Sequence, residues 1–152
     1  MNIDINRDKA IIGNAVSSVL ADTYTLYLKT QNYHWNVTGA RFHQLHKLFE
    51  EQYTEMAEAI DEIAERVRSL GFRPPGTFKE FLALTSIPEE TVKLNADEMI
   101  KNLADGHEMI SSKTREIVVM AHDFKDDVTA DLLTSRIKTH EKTTWMLKSF
   151  LE

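Results

Sequence analysis

The sequence contains no cysteine among its 152 residues. Disulfides, thiolate metal sites, iron–sulfur clusters and thiol redox chemistry are therefore all excluded. Any metal ion that this protein binds must be held by nitrogen and oxygen atoms, which in proteins are supplied chiefly by histidine rings and carboxylates.

Long apolar runs are also missing, since no segment approaches the roughly 20 apolar residues of a membrane span. The first ten residues, MNIDINRDKA, are polar and lack the apolar stretch of a signal peptide. We therefore expect a cytoplasmic protein without a membrane segment. The length, with 42% hydrophobic and 28% charged residues, is typical of one globular domain, here residues 1–152.

Positive charge is in the minority, with 18 Lys and Arg residues against 24 Asp and Glu residues and a formal net charge of −6. A negative net charge attracts metal cations and disfavours binding to nucleic acid or to anionic membranes without a bridging cation or partner. Because Lys and Arg contacts with phosphate supply most of nonspecific DNA affinity, we expect DNA binding to be weak or absent.

Glycine and proline are scarce, with five and three in total, so little interrupts the amphipathic patterns. Apolar residues at three- and four-residue steps predict a first helix over about 6–36 and a second over about 40–70, which Gly39 and Gly71 end. The stretch Ser86-Ile87-Pro88-Glu89 matches a capping box and predicts the start of a third helix that runs to about 124. A fourth helix follows the caps Asp126-Asp127 and runs almost to residue 152.

The segment 72–85 contains Pro74-Pro75-Gly76 and then several apolar residues, which indicates a crossover that holds one short helix. Such a connection is too long for a simple hairpin. Four amphipathic helices with short turns at both ends and one long middle connection describe an all-α four-helix bundle of ferritin-like topology.

Two histidines and three carboxylates stand at intervals that suit a metal site: His34, His46, Glu50, Asp61 and Glu65. The two histidines flank the first turn at about 7 and 11 Å along antiparallel helices, so they reach similar heights. The pairs His46/Glu50 and Asp61/Glu65 are each four residues apart, so each projects from one face of the second helix. Mixed imidazole and carboxylate ligands suit non-haem Fe(II), which reacts with oxygen or peroxide.

These two pairs cannot bind one ion within a single chain. The interval from His46 to Asp61 corresponds to about 22 Å of helical rise, against a metal–ligand bond of roughly 2.0–2.2 Å. A two-fold axis near Tyr53 or Thr54 removes the difficulty, because it lays the histidine end of one copy on the carboxylate end of another. Small residues between the pairs, such as Thr54 and Ala57, permit close approach.

Each candidate also has a plainer structural explanation. Acidic residues on a helix usually form a solvated face, and the acidic pair on the second helix alone indicates no more. A histidine in an apolar stripe is more often a hydrogen-bonded core residue, which is the role expected for His140, and His43 is expected at the surface. His107 and His122 have no partner at ligand spacing and are expected to be structural.

This region resembles the signature of the Dps proteins, the DNA-protection-during-starvation branch of the ferritin-like superfamily. The resemblance is carried by His34-Trp35, Gly39, Phe42, Leu45-His46, Asp61 and Ala64-Glu65-Arg66. It implies a dodecameric hollow shell that oxidises Fe(II), preferably with hydrogen peroxide, and stores the ferric product as mineral.

The resemblance further implies a ferroxidase centre at a two-fold dimer interface. One subunit would supply the two histidines and its partner the acidic pair, with Glu50 as an additional or water-mediated ligand and Trp35 beside the metals. On the third predicted helix, polar residues near one face are candidates for an iron entry channel at a three-fold axis: Asp105, Glu108, Ser112 and Glu116.

Three other functions stay open. A DNA-compacting protein with secondary iron chemistry is disfavoured by the lack of a lysine-rich tail. A ferritin or di-iron oxidase with its site inside each bundle would carry Glu-x-x-His motifs, and no Glu in this sequence precedes a His by three residues. A metal-free helical interaction protein is the remaining alternative.

Overall fold

Five α-helices make up most of the computed structural model, which describes residues 5–152. They are α1 (Ile5–Asn36), α2 (Phe42–Ser69), α3 (Phe78–Leu84), α4 (Ala96–Asp123) and α5 (Asp127–Ser149). No β-strand occurs in that part of the chain, and none of its helices is long and apolar enough to cross a membrane. The prediction of four long helices, with a short helix in a long crossover, is confirmed.

The helices pair as two hairpins, α1 with α2 and α4 with α5, and α4 also packs on α1. At one end, Asn102 Nδ2 donates to Tyr33 Oη at 3.3 Å. Nearer the other end, Lys113 Nζ donates to Asp22 Oδ2 at 2.6 Å. Because the residue number falls along α1 as it rises along α4, these two helices run antiparallel.

The apolar stripes meet in two buried clusters. One surrounds the α1–α2 turn and includes Tyr33, Leu45 and Phe49, and the other lies towards the start of α1 and includes Val16 and Ile63. Burying one Leu, Ile or Phe side chain contributes about 1.5–3 kcal/mol. The two clusters therefore supply the main force that holds the helices at a fixed register.

The predicted start of the third long helix at Ser86 is wrong, since α4 begins at Ala96. The segment around Ser86 is irregular and is held by α1 instead. The Ser86 amide donates to Asp22 Oδ1 at 2.7 Å, and Lys29 Nζ donates to the backbone oxygen of Pro88 at 2.9 Å. The Ser86 hydroxyl also accepts from Lys113 Nζ at 3.0 Å, so both the amide and the hydroxyl that a capping box would use are engaged elsewhere, and the serine-based capping pattern does not form.

A capping box does form further along, at Asn95 and Glu98. The Asn95 side chain accepts from Glu98 N at 2.9 Å, and the Glu98 carboxylate accepts from Asn95 N at 3.2 Å. Two amides that would lack a helical partner are thereby satisfied. The crossover thus runs on well past Thr85, where the sequence predicted its end.

The predicted cap of the last helix at Asp126 is confirmed. Its carboxylate accepts from Thr129 N at 3.0 Å and from Arg66 Nη2 at 3.1 Å, which ties α5 to the end of α2. Burial opposes ionisation, but the hydrogen bonds from Thr129 and the Arg66 guanidinium hold the pKa of the Asp126 carboxyl below its usual value.

Substituting Asn95→Ala removes the observed cap of α4, so we expect a loss of about 1 kcal/mol in the free energy of unfolding. Glu89→Ala alters the position that the sequence pattern favoured, and it should leave stability unchanged because Glu89 is exposed and outside α4. Urea unfolding followed by circular dichroism measures both. Equal losses for the two variants would contradict the assignment of the cap to Asn95.

Candidate metal centre

The two candidate histidines are placed by the hairpin that joins α1 to α2. His34 lies in the last turn of α1 and is buried, and His46 lies in the second turn of α2. Gly39 makes the connection with a φ of 107°, a conformation that residues with a Cβ rarely adopt. Its carbonyl then accepts from Phe42 N at 3.1 Å, where α2 begins. This tight turn sets both histidines at the same height.

His34 and His46 hold each other through a reciprocal pair of hydrogen bonds. His34 Nδ1 lies 2.6 Å from the backbone oxygen of His46, and His46 Nδ1 lies 2.8 Å from the backbone oxygen of His34. The rings stack with centroids 3.8 Å apart and an interplanar angle of 13°. Because a carbonyl oxygen only accepts, both Nδ1 atoms carry a hydrogen and both Nε2 atoms of the neutral rings carry a lone pair. The two rings are thereby held in the tautomer that a candidate nitrogen ligand needs.

Aromatic rings extend this stack on both sides. The Phe42 ring lies on His46 with a centroid distance of 5.0 Å, and the Tyr53 ring meets His34 edge-on at 5.2 Å. Burial, followed by the nearby Glu50 carboxylate, raises the pKa of Tyr53, so its phenol stays protonated at neutral pH. The flanking rings limit the rotation of both imidazoles.

The candidate carboxylates all lie on an exposed face of α2. Glu50 follows His46 by one turn, whereas Asp61 and Glu65 stand towards the other end of the helix. Within residues 5–152, no three His, Asp or Glu side chains converge into a group that could hold a metal ion. One chain therefore brings His34 and His46 together and leaves the acidic pair apart from them.

The surface of α2 between the two ends carries two small side chains among longer, charged ones. Thr54 and Ala57 are both exposed there. Large apolar side chains on α1 and α3 are exposed as well, including Trp35 at 61% and Phe78 at 68%. The small side chains allow a helix of a second copy to approach this part of α2 closely.

The interior of the bundle holds a second histidine pair. His107 on α4 and His140 on α5 are 2% and 0% exposed, and their Nδ1 atoms lie 2.8 Å apart. Arg136 Nη2 lies 3.5 Å from His140 Nε2, and the guanidinium binds both carboxylate oxygens of Glu55 at 2.5 and 3.0 Å. A cation at this pair would face the guanidinium, so the arrangement disfavours a metal site inside the bundle. The predicted core role of His140 is confirmed, whereas its partnership with His107 was not predicted.

Comparisons with known proteins assign the family. The family model of the ferritin-like domain matches residues 14–152. DNA protection during starvation protein 2 of Bacillus anthracis is 39% identical over 132 residues, which cover 87% of this chain and 90% of that protein. The chain belongs to the Dps branch of the ferritin-like superfamily.

Solved Dps structures share the fold over nearly the whole chain. The Dps protein of Bacillus brevis superposes with a TM-score of 0.93 at 35% identity and 100% coverage of both chains. That of Vibrio cholerae O1, described as a member of a broad superfamily of ferritin-like diiron-carboxylate proteins, gives a TM-score of 0.93 at 33% identity and covers 97% of this chain and 92% of its own. Membership of this family supports iron binding and a general role in iron storage and protection.

The remaining candidate residues of this Dps family member lie at its surface. His43 is exposed as predicted, and His122 Nδ1 lies 3.1 Å from Asp127 Oδ1 where α4 meets α5. On α4, Glu108 pairs with Lys148 of α5. The polar face predicted for iron entry is exposed throughout, at Asp105, Glu108, Ser112 and Glu116.

Proposed function

We propose that this chain is the subunit of a dodecameric shell that oxidises Fe(II) at centres shared across two-fold dimer interfaces. Hydrogen peroxide is the preferred oxidant, and the ferric product is stored as mineral inside the shell. The reciprocal His34–His46 pair is the observation that carries this proposal, because it presents two ring nitrogens at one end of a helix whose other end presents two carboxylates. Each subunit acts as one domain, residues 1–152, in the cytoplasm.

Sharing between subunits follows from the length of α2. About 22 Å of helix separates His46 from Asp61, which no single ion spans. Two copies of α2, laid antiparallel about a two-fold axis near Tyr53 and Thr54, bring the histidine end of each onto the carboxylate end of the other. The small, exposed side chains at Thr54 and Ala57 support this packing.

Iron is the substrate of the proposed reaction. Two Fe(II) ions give up one electron each, and these two electrons with two protons reduce one hydrogen peroxide to two water molecules. His34 and His46 bind through neutral Nε2 atoms, while the acidic pair of the partner subunit adds negative charge that stabilises Fe(III) over Fe(II). Glu50, one turn from His46, is an additional or water-mediated ligand. Because both electrons are taken at one centre, no hydroxyl radical is released.

The shared site predicts a specific pattern of complementation between two inactive variants. His46→Ala and Asp61→Ala should each slow Fe(II) oxidation strongly. In a mixed dimer, one of the two sites contains both substituted positions. The other contains the intact His46 of one subunit and the intact Asp61 of its partner. Random mixing makes half of the dimers mixed, so about a quarter of all sites, and about a quarter of the wild-type rate, should return.

The measurement is the initial rate of Fe(II) oxidation after co-expression of the two variants in equal amounts, with mass spectrometry to verify mixed assembly. Glu62→Ala, a change to an exposed carboxylate next to Asp61, serves as the control and should keep the wild-type rate. A mixed assembly with no recovery of activity would show that each chain contains its own site.

We also propose that the exposed face of α4 guides Fe(II) into the shell. The double variant Glu108→Ala/Glu116→Ala removes negative charge there and should slow iron uptake several-fold, because a cation path depends on that field. Lys148→Ala is the matched control, since it breaks the same ion pair with Glu108 while leaving the carboxylate. Stopped-flow uptake that is equal in the double variant and the wild type would remove these residues from the pathway.

DNA binding is proposed to be weak or absent, because the net charge of −6 opposes contact with phosphate. A gel shift with linear duplex DNA at low salt and neutral pH should show no retention by the assembled protein. Tight retention under those conditions would favour the DNA-compacting alternative.

A further inference from the structure

The buried pair His107–His140, together with Arg136, links three of the four long helices. The Nδ1–Nδ1 contact of 2.8 Å joins α4 to α5, and the two bonds from Arg136 to Glu55 join α5 to α2. α2 carries four of the five candidate metal ligands. Through the bond between Arg136 and Glu55, this interior cluster is therefore connected to the helix that carries most of the proposed site. Glu55 itself is not one of the candidate ligands.

The positions of the protons in this pair follow from the donors around it. The Arg136 guanidinium can only donate, so His140 Nε2, 3.5 Å away, accepts. His140 Nδ1 then carries the hydrogen and donates to His107 Nδ1 at 2.8 Å. His107 keeps its own hydrogen on Nε2. Together, the Nδ1–Nδ1 contact and the contact of Arg136 with His140 Nε2 require that both rings be neutral.

A further proton would break one of these two contacts. On His107 Nδ1 it would bring two Nδ1 hydrogens face to face at hydrogen-bond distance, and on His140 Nε2 it would face an N–H of Arg136. In either place it would add positive charge beside Arg136. Among the described residues, no carboxylate contacts either ring, and Glu55 of α2 is already bound to Arg136. α1 offers no charge here, since it packs Leu26 against Gly106, the residue before His107.

We propose that His107, His140 and Arg136 form an acid-sensitive lock, which holds α4, α5 and α2 together at neutral pH and opens as the pH falls. Complete burial supports this role. Burial, followed by the charge of Arg136, lowers the pKa of His107 to about 3, and burial lowers the pKa of His140 well below its ordinary value.

The direction of the pH effect follows from proton uptake. Both histidines have an ordinary pKa of about 6.5 in the unfolded chain. Between that value and the lowered pKa of the folded state, the unfolded chain binds more protons, so stability is complete above about pH 6.5 and falls as the pH falls. Well below pH 6.5, each histidine raises the unfolding equilibrium constant about tenfold per pH unit, and the pair up to about a hundredfold.

The test compares metal-free wild-type protein with the variant His107→Leu/His140→Leu, which leaves Arg136 bound to Glu55. Urea unfolding is followed by circular dichroism at pH 7 and pH 5 and at one protein concentration. From pH 7 to pH 5, the unfolding constant should rise more in the wild type than in the variant, by a factor on the order of several hundred. His43→Gln, an exposed histidine, is the control and should keep the wild-type response. Equal pH responses in wild type and double variant would overturn the lock.

A second measurement needs no variant and covers the case in which the double variant does not fold. Deuterium exchange at the ring C2 hydrogen, read by mass spectrometry over a pH series, reports the titration of each histidine in the native protein. We expect both His107 and His140 to titrate well below the ordinary histidine pKa of about 6.5. Titration of the buried pair near pH 6.5 would overturn the proposal.

Discussion

The reciprocal hydrogen bonds between His34 and His46 determine what the α1–α2 hairpin can do. The carbonyl of His34 belongs to the last turn of α1, where backbone oxygens lack a helical partner. The Nδ1 hydrogen of His46 is donated to this carbonyl, and His34 Nδ1 donates in the same way to the backbone oxygen of His46 in α2. Backbone carbonyls, one of them at the end of α1, thus fix the tautomer of both rings and leave their Nε2 atoms free as candidate ligands. Loss of either histidine removes a candidate ligand and also a hydrogen bond between the two helices.

The two histidine pairs of this chain show how surroundings decide the role of one residue type. His34 and His46 face backbone carbonyls, which leave a lone pair on each ring for a metal ion. His107 and His140 face each other and Arg136. Their Nδ1 atoms and His140 Nε2 are used in these contacts, so those nitrogens are not available to bind a metal ion. The same side chain is therefore a candidate ligand at the edge of the bundle and a pH-sensitive contact at its centre.

Much of the fold could be predicted from the sequence, because helix periodicity and the turn glycines are local signals. The equal height of His34 and His46 also followed from a short turn. The start of α4 could not be predicted, since Asp22 and Lys29, far away in the chain, hold the segment that resembled a cap. The contact of His107 with His140 was missed because it depends on the register between α4 and α5, which the packing of the core sets.

The most direct test is a crystal structure of the assembled protein after anaerobic addition of Fe(II), with anomalous diffraction at the iron absorption edge. We expect an iron peak within bonding distance of Nε2 of His34 and His46 of one subunit, and of the carboxylates of Asp61 and Glu65 of the partner subunit. A dimer seam without iron, or iron bound inside a single bundle, would contradict the shared centre.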